Sequence, residues 1–259
     1  MKLDRKVVVV TGASQGIGRE IALTCAQEGG SMVLAARSVG ALEEVASLIE
    51  AAGGQAQVVE TDVSNPDAVA SLASQVLSRW GRIDVLVNNS GIGGPSAPLW
   101  EVQPADWEQT FAVNVTGVFL CCQAMLPSMI ERRSGSIINI GSITGKRPLL
   151  NRTAYAASKA ALIGLTRTLA VEAGPHHIRV NLVSPGFVEG ERIEWVFQQQ
   201  SAQQDRPVAA VRSAAEQMTP LRRLVTAVDV ARTVAFLASD ESAGITGDDV
   251  NVTAGLVMY

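Results

Sequence analysis

Short β-branched runs alternate along the chain with longer segments of helical period. Val7–Thr11, Ser31–Ala36, Ala56–Thr61, Asp84–Asn88, Gly135–Ile140, Ile178–Val183 and Asp249–Val252 read as strands. The first, fourth and fifth are nearly all apolar, the pattern of parallel strands buried on both faces. Helical segments are expected between them at 16–29, 40–53, 66–81, 106–132, 153–173 and 227–238. The punctuation agrees: Gly29-Gly30 and Gly53-Gly54 stop two helices, and Asn65-Pro66 starts another. This order predicts an α/β fold, a single Rossmann-type doubly wound parallel sheet of about seven strands with helices on both faces. Ligands then bind at the carboxyl ends of the strands. Only residues 187–220 break the rhythm, with Glu, Gln and Arg prominent before the last helix. A stretch that long without a strand reads as a partly helical substrate lid, not a linker. With no internal repeat or low-complexity segment, residues 1–259 are expected to form one domain.

Composition narrows the function classes. Hydrophobic residues make up 47% of the 259 and charged residues 18%, which excludes an intrinsically disordered chain. Lys and Arg number 21 against 25 Asp and Glu, and no basic run exceeds Arg-Arg. Such a chain is a poor partner for nucleic acid or anionic lipid, and its few aromatics make no stacking platform for bases. Cys25, Cys121 and Cys122 are too few and wrongly spaced for a disulfide framework or zinc site, and read as buried helix residues in a reducing compartment. The Val7–Val10 run imitates a secretory core, but Thr11-Gly12 interrupts it early. No window is expected to reach membrane-spanning length. A cytoplasmic protein is expected.

Candidate chemistry begins after the first strand, at Thr11-Gly12-Ala13-Ser14-Gln15-Gly16-Ile17-Gly18. Glycines there let the backbone approach a pyrophosphate whose charge is met by the following helix N-terminus. An ordinary tight turn is the plainer reading. The end of the second strand helps to decide, because Ala35-Ala36-Arg37-Ser38 lacks the carboxylate that holds the ribose hydroxyls of NAD. Arg37 offers a guanidinium suited to a 2′-phosphate, so NADP(H) is favoured and NAD(H) is the alternative. A solvated surface arginine is the plainer reading here.

The chain has two tyrosines and four lysines, yet Tyr155-Ala156-Ala157-Ser158-Lys159 sets one of each four residues apart on a helix. That spacing puts both side chains on one face. A phenol ordinarily titrates near pH 10. A nearby ammonium favours the phenolate and brings the group toward the range useful for acid–base catalysis.

Together these residues resemble the classical short-chain dehydrogenase/reductase family, over essentially the whole chain. Gly12, Gly16 and Gly18 match its cofactor turn, Asp62-Val63 its adenine-contacting pair, and Asn88-Asn89-Ser90-Gly91 its Asn-Asn-Ala-Gly element with Ser for Ala. Asn114, Ser142, Tyr155 and Lys159 match its catalytic tetrad, and Pro185-Gly186 its nicotinamide-contacting segment. The resemblance implies further cofactor contacts from Ser14, Ile17, Asn89 and Val188, besides Tyr155 and Lys159. The family often has a Thr shortly after Pro-Gly; Phe187-Val188-Glu189-Gly190 stands there, which puts that carboxamide contact in doubt.

The resemblance implies interconversion of a secondary alcohol and a ketone or aldehyde. Tyr155 would exchange the proton and Ser142 hold the oxygen; Lys159 would bind ribose and keep the phenol acidic, and Asn114 would anchor a relay water. The ending 251–259 is similar to those of sugar- and polyol-oxidising members and of 3-oxoacyl-carrier-protein reductases; a hydroxy acid is another candidate substrate. Lys146, Arg147 and Arg152, between Ser142 and Tyr155, either present a basic rim to an anionic substrate group or are solvated loop charges. Glu191, Arg192, Trp195 and Phe197 in the lid could close over a polar, partly apolar molecule. His176-His177 reads as surface loop, and no metal site is expected. Apolar residues nearly encircle 106–132, while Ala156, Ala160, Ala161 and Gly164 offer a close-contact helix face; with the resemblance, these imply a homotetramer. A non-catalytic dinucleotide-binding regulator on the same fold, and a methyltransferase on a related sheet, are the competing readings.

Overall fold

The computed structural model describes residues 1–259, the side chain of Arg192 excepted. Seven strands form one parallel sheet in the order β3-β2-β1-β4-β5-β6-β7. They are β1 (Val7–Thr11), β2 (Ser31–Ala36), β3 (Gln55–Glu60), β4 (Val85–Asn88), β5 (Gly135–Ile140), β6 (Ile178–Pro185) and β7 (Asp249–Val252). The order reverses between β1 and β4, so the connections leaving these neighbours diverge and open a crevice at their carboxyl ends.

The four valines of β1 show how the sheet is buried. Side chains alternate along a strand, so Val8 and Val10 join one core while Val7 and Val9 join the other. The first core is closed by α1 (Gly16–Gln27), α2 (Val39–Ala51) and α9 (Ala227–Ala238). The second is closed by α3 (Pro66–Trp80), α5 (Gly117–Arg132) and α6 (Thr153–Ala173).

Local chemistry sets several helix ends. Asn65 caps α3 by accepting from the N–H groups of Asp67 (2.9 Å) and Ala68 (3.3 Å), with Pro66 at the first helical position. Thr226 and Asp229 bond each other's backbone N–H groups reciprocally and so start α9.

Two features differ from expectation. The segment expected as one helix at 106–132 is α4 (Pro104–Phe111), a π-helical turn at Ala112–Thr116, and α5. The run Pro104–Arg132 also has the length and apolarity of a membrane span, contrary to expectation. It is a core helix: Val113, Val118, Cys121, Cys122, Met125 and Met129 pack against the sheet.

Between β6 and α9, the segment 187–220 contains α7 (Glu191–Gln204) and α8 (Val208–Met218). Ile193 and Phe197 of α7 pack with Val211 and Ala215 of α8 and with Leu224, forming a small core separate from the two that flank the sheet. The strand-like stretch before α7 is pinned by Val225, which donates to the Phe187 carbonyl (3.0 Å) and accepts from Glu189 N–H (2.9 Å).

Candidate active site

A cleft of about 1000 Å³ opens above the crevice between β1 and β4, at the upper end of the range usual for small-molecule sites, about 300–1000 Å³. Its floor is the turn from β1 into α1. Gly12 sits at φ +65°, a left-handed conformation that side chains resist. Gly18 is needed for another reason: a Cβ there would stand 2.1 Å from the Gly12 carbonyl oxygen. Asn89 fastens this turn from behind, its Nδ2 donating to the carbonyls of Thr11 (3.0 Å) and Gly12 (3.1 Å). Thr11 Oγ1 accepts from the N–H groups of Asn89 (3.0 Å) and Ser90 (3.1 Å). The α1 N-terminus has no side-chain cap and no acidic residue in its first turn. Its first N–H groups therefore face a wall of the cleft made by Gly12, Ser14, Gln15, Gly16, Ile17 and Gly18.

One end of the cleft is bordered by Arg37, exposed just beyond β2, and by Asp62 and Val63 beyond β3. The Ser64 hydroxyl donates to Asp62 Oδ1 (2.6 Å) and its N–H does so as well (2.9 Å). These bonds hold the Asp62 carboxyl below the usual carboxylate range, with a smaller contribution from the Arg37 charge.

The other end is built by β5, α6 and the turn between them. Ser142 lies just past β5, where its Oγ accepts from Thr144 N–H (3.1 Å) and caps the short 3₁₀ turn Ile143–Gly145. Tyr155 and Lys159 stand on one face of α6 and line the cleft. Lys159 is buried; its Nζ donates to the Ile140 carbonyl (2.7 Å) and lies 5.9 Å from the centre of the Tyr155 ring. Pro185, Gly186 and Val188, at the end of β6 and beyond it, form the facing wall.

Every residue expected to be catalytic or to contact the cofactor lines this one cleft except Asn114, which is fully buried in the π-helical turn. Its Oδ1 accepts from Ile92 N–H (2.8 Å), while Nδ2 donates to the Ile92 carbonyl (2.9 Å) and to Ser158 Oγ (3.0 Å). A Cβ placed on Gly91 would lie 3.3 Å from Asn114 Oδ1 and 3.5 Å from Lys159 Nζ, so both side chains converge on that glycine. Sequence reasoning named Asn114 but missed Ile92 and Ser158 as its partners, and Ile140 as the partner of Lys159. Asn114 was named from the family resemblance, and π turns recur at functional sites.

The basic rim is corrected. Lys146 is nearly buried, paired with Asp249 Oδ2 (2.8 Å) and donating to Asn251 Oδ1 (2.7 Å), so it ties the loop to β7. Arg147 lines a smaller adjoining cavity with Met218 and Arg206. Only Arg152 lines the main cleft. Burial pushes the thiols of Cys25, Cys121 and Cys122 up to about 12, so none is a thiolate nucleophile at neutral pH. Among the described residues no cluster of His, Cys, Asp or Glu could hold a metal ion.

The family model described as enoyl-(acyl carrier protein) reductase matches residues 12–257. The chain is 37% identical over 258 residues to the 3-oxoacyl-(acyl-carrier-protein) reductase FabG of Thermotoga maritima, covering all of both chains. Among solved structures, an NAD+-bound xylitol dehydrogenase superposes with a TM-score of 0.94 at 32% identity, over 98% of this chain and 100% of that one. A variant of actinorhodin polyketide ketoreductase with NADPH gives 0.94 at 32% identity, over 99% and 100%. Sheet order, glycine turn and whole-chain similarity agree: this chain is an oxidoreductase enzyme of the classical short-chain dehydrogenase/reductase family.

Proposed function

We propose that the protein is an NADP(H)-dependent oxidoreductase interconverting a secondary alcohol and its ketone or aldehyde. The observation that carries this reading is the single cleft shared by the glycine turn, Arg37, Ser142, Tyr155 and Lys159. The residues fit a dinucleotide: Gly12 and Gly18 leave a floor that side chains would fill, and the uncapped α1 N-terminus suits a pyrophosphate. When bound, the dinucleotide supplies the hydride-transfer chemistry.

Tyr155 exchanges the proton with the substrate oxygen, and Ser142, fixed by its capping bond, orients that oxygen. The Lys159 ammonium beside the ring favours the phenolate and, held by Ile140, meets the ribose. Asn114 fixes Gly91–Ile92 beside that ammonium, where a water would return the proton to solvent. Gly12, Ser14, Gly16, Ile17, Gly18, Asp62, Val63, Asn89, Pro185, Gly186 and Val188 complete the cofactor wall, and 187–220 serves as a lid over one domain. The competing regulator reading leaves the arrangement of Ser142, Tyr155 and Lys159 without a purpose.

Absorbance at the reduced-nicotinamide band tests the reading across polyols, sugars, hydroxy acids and 3-oxoacyl thioesters. Turnover is expected with one class, faster with the phosphorylated dinucleotide. Tight dinucleotide binding with no turnover of any alcohol or carbonyl would favour the regulator.

A further inference from the structure

Ser142 is gripped from both sides by groups that take no part in the steps above. On its amino side, Gly141 N–H donates to the Val183 carbonyl on β6 (2.7 Å), and a Cβ on Gly141 would stand 2.9 Å from Ser184 Oγ. On its carboxyl side the 3₁₀ turn ends at Gly145. A Cβ there would stand 2.9 Å from the Lys159 carbonyl carbon and from the Ala160 nitrogen of α6. Both spacings are closer than a side chain tolerates, so the two glycines seat the turn directly on β6 and on the backbone of the catalytic helix.

The next residue holds the turn in that seat. Lys146 Nζ lies 2.8 Å from Asp249 Oδ2 and donates to Asn251 Oδ1 (2.7 Å), both on β7. Asp249 Oδ1 accepts from Ser184 Oγ (2.6 Å), the same hydroxyl that packs against Gly141. From Gly141 through Ser184, Asp249 and Lys146 back to Gly145, these contacts close a bracket around residues 142–144. The two charges are nearly buried, so solvent ions screen their attraction little. A buried ion pair is a poor source of net stability compared with apolar packing, and fixing register is its best-attested use.

We propose that Lys146, Asp249 and Ser184 are positioning residues that set the Ser142 hydroxyl against the substrate oxygen. None of the three borders the cleft, so they act only through Ser142. This rests on the reading of Ser142 given above and deepens it. A hydroxyl that orients a reacting oxygen is sensitive to small displacements, about 100-fold in rate for 1 Å.

The test is a double-mutant cycle on the single-turnover rate of hydride transfer from NADPH, using the carbonyl compound of the panel above that the wild type reduces fastest. At saturating substrate Lys146→Met is expected to slow transfer about 10–100-fold, while the dinucleotide dissociation constant changes less than about threefold. In the Ser142→Ala background the same substitution costs less than about twofold, because residues that act as a unit are not additive. Ser184→Ala keeps the ion pair and is expected to lose about 3–10-fold, again with no further loss beside Ser142→Ala; it serves if Lys146→Met does not fold. Arg132→Met removes a partner of the buried Asp84 carboxylate (3.0 Å) just before β4, at the opposite end of the sheet, and is expected to destabilise the protein with its rate unchanged. Equal losses with and without Ser142, a wild-type rate in Lys146→Met, or a matching loss in Arg132→Met overturns the positioning role and leaves the oxidoreductase reading standing. A wild-type rate in Ser142→Ala removes the reading of Ser142 itself, and the positioning role with it.

Discussion

Arg37 is an exposed cation where β2 meets the cleft, with Asp62 across from it. Asp62 accepts two bonds from Ser64, and Arg37 acts on it through its charge. A 2′-phosphate would engage that guanidinium directly. Arg37→Asp is therefore expected to move preference from NADPH toward NADH by about 1–3 kcal/mol, the scale of a charged hydrogen bond, as read from the ratio of the two dissociation constants. An unchanged ratio would remove Arg37 from the recognition of the cofactor. Glycines, Arg37, Tyr155 and Lys159 were legible in the sequence because each signal is local: a turn, a strand end, a single helical spacing. Lys146 was not, since its partner Asp249 comes from the opposite end of the chain and only the β6–β7 pairing brings them together.

At the scale of elements, strands and caps were readable because alternation and capping chemistry act over a few residues. The boundaries of α3 follow directly from Asn65-Pro66 and Gly81, the latter at φ +69°. The π turn was hidden, because it depends on Asn114 reaching Ile92 across space and not on helix-forming tendency along the chain. The loop between Ser142 and Tyr155 is likewise set by a distant contact. Lys146 and Asp249, 8% and 7% exposed, hold this loop against β7, and Ser184 donates to the same carboxylate at 2.6 Å. Removing one member of a buried pair leaves an uncompensated charge and costs about 3–5 kcal/mol. Lys146→Met is expected to lower the unfolding free energy by that amount in urea titrations. A loss below about 1 kcal/mol would show that the pair does not fasten the loop.

Across the whole molecule, the reversal of strand order between β1 and β4 gathers residues from Gly12 to Val188 at the carboxyl end of the sheet. The fold was legible because consecutive strand and helix patterns leave few ways to wind a parallel sheet. How α7 and α8 pack was not, since their small core joins residues on separate helices to Leu224. Association was inferred from helix faces, and the exposure of Phe119 on α5 (48%) and Val171 on α6 (77%) keeps that proposal in view. Light scattering is expected to give four times the 27.2 kDa chain mass; a mass of one chain would refute the homotetramer.

The account depends most on the Tyr155 phenol as the group that exchanges the proton. Single-turnover absorbance with bound reduced dinucleotide and a carbonyl substrate, comparing wild type with Tyr155→Phe, measures this directly. The variant is expected to react at least about 100-fold more slowly, the lower range for removing a general acid, while its dinucleotide dissociation constant stays within about threefold, roughly 0.7 kcal/mol. A variant that binds the dinucleotide and transfers hydride at the wild-type rate would contradict the account.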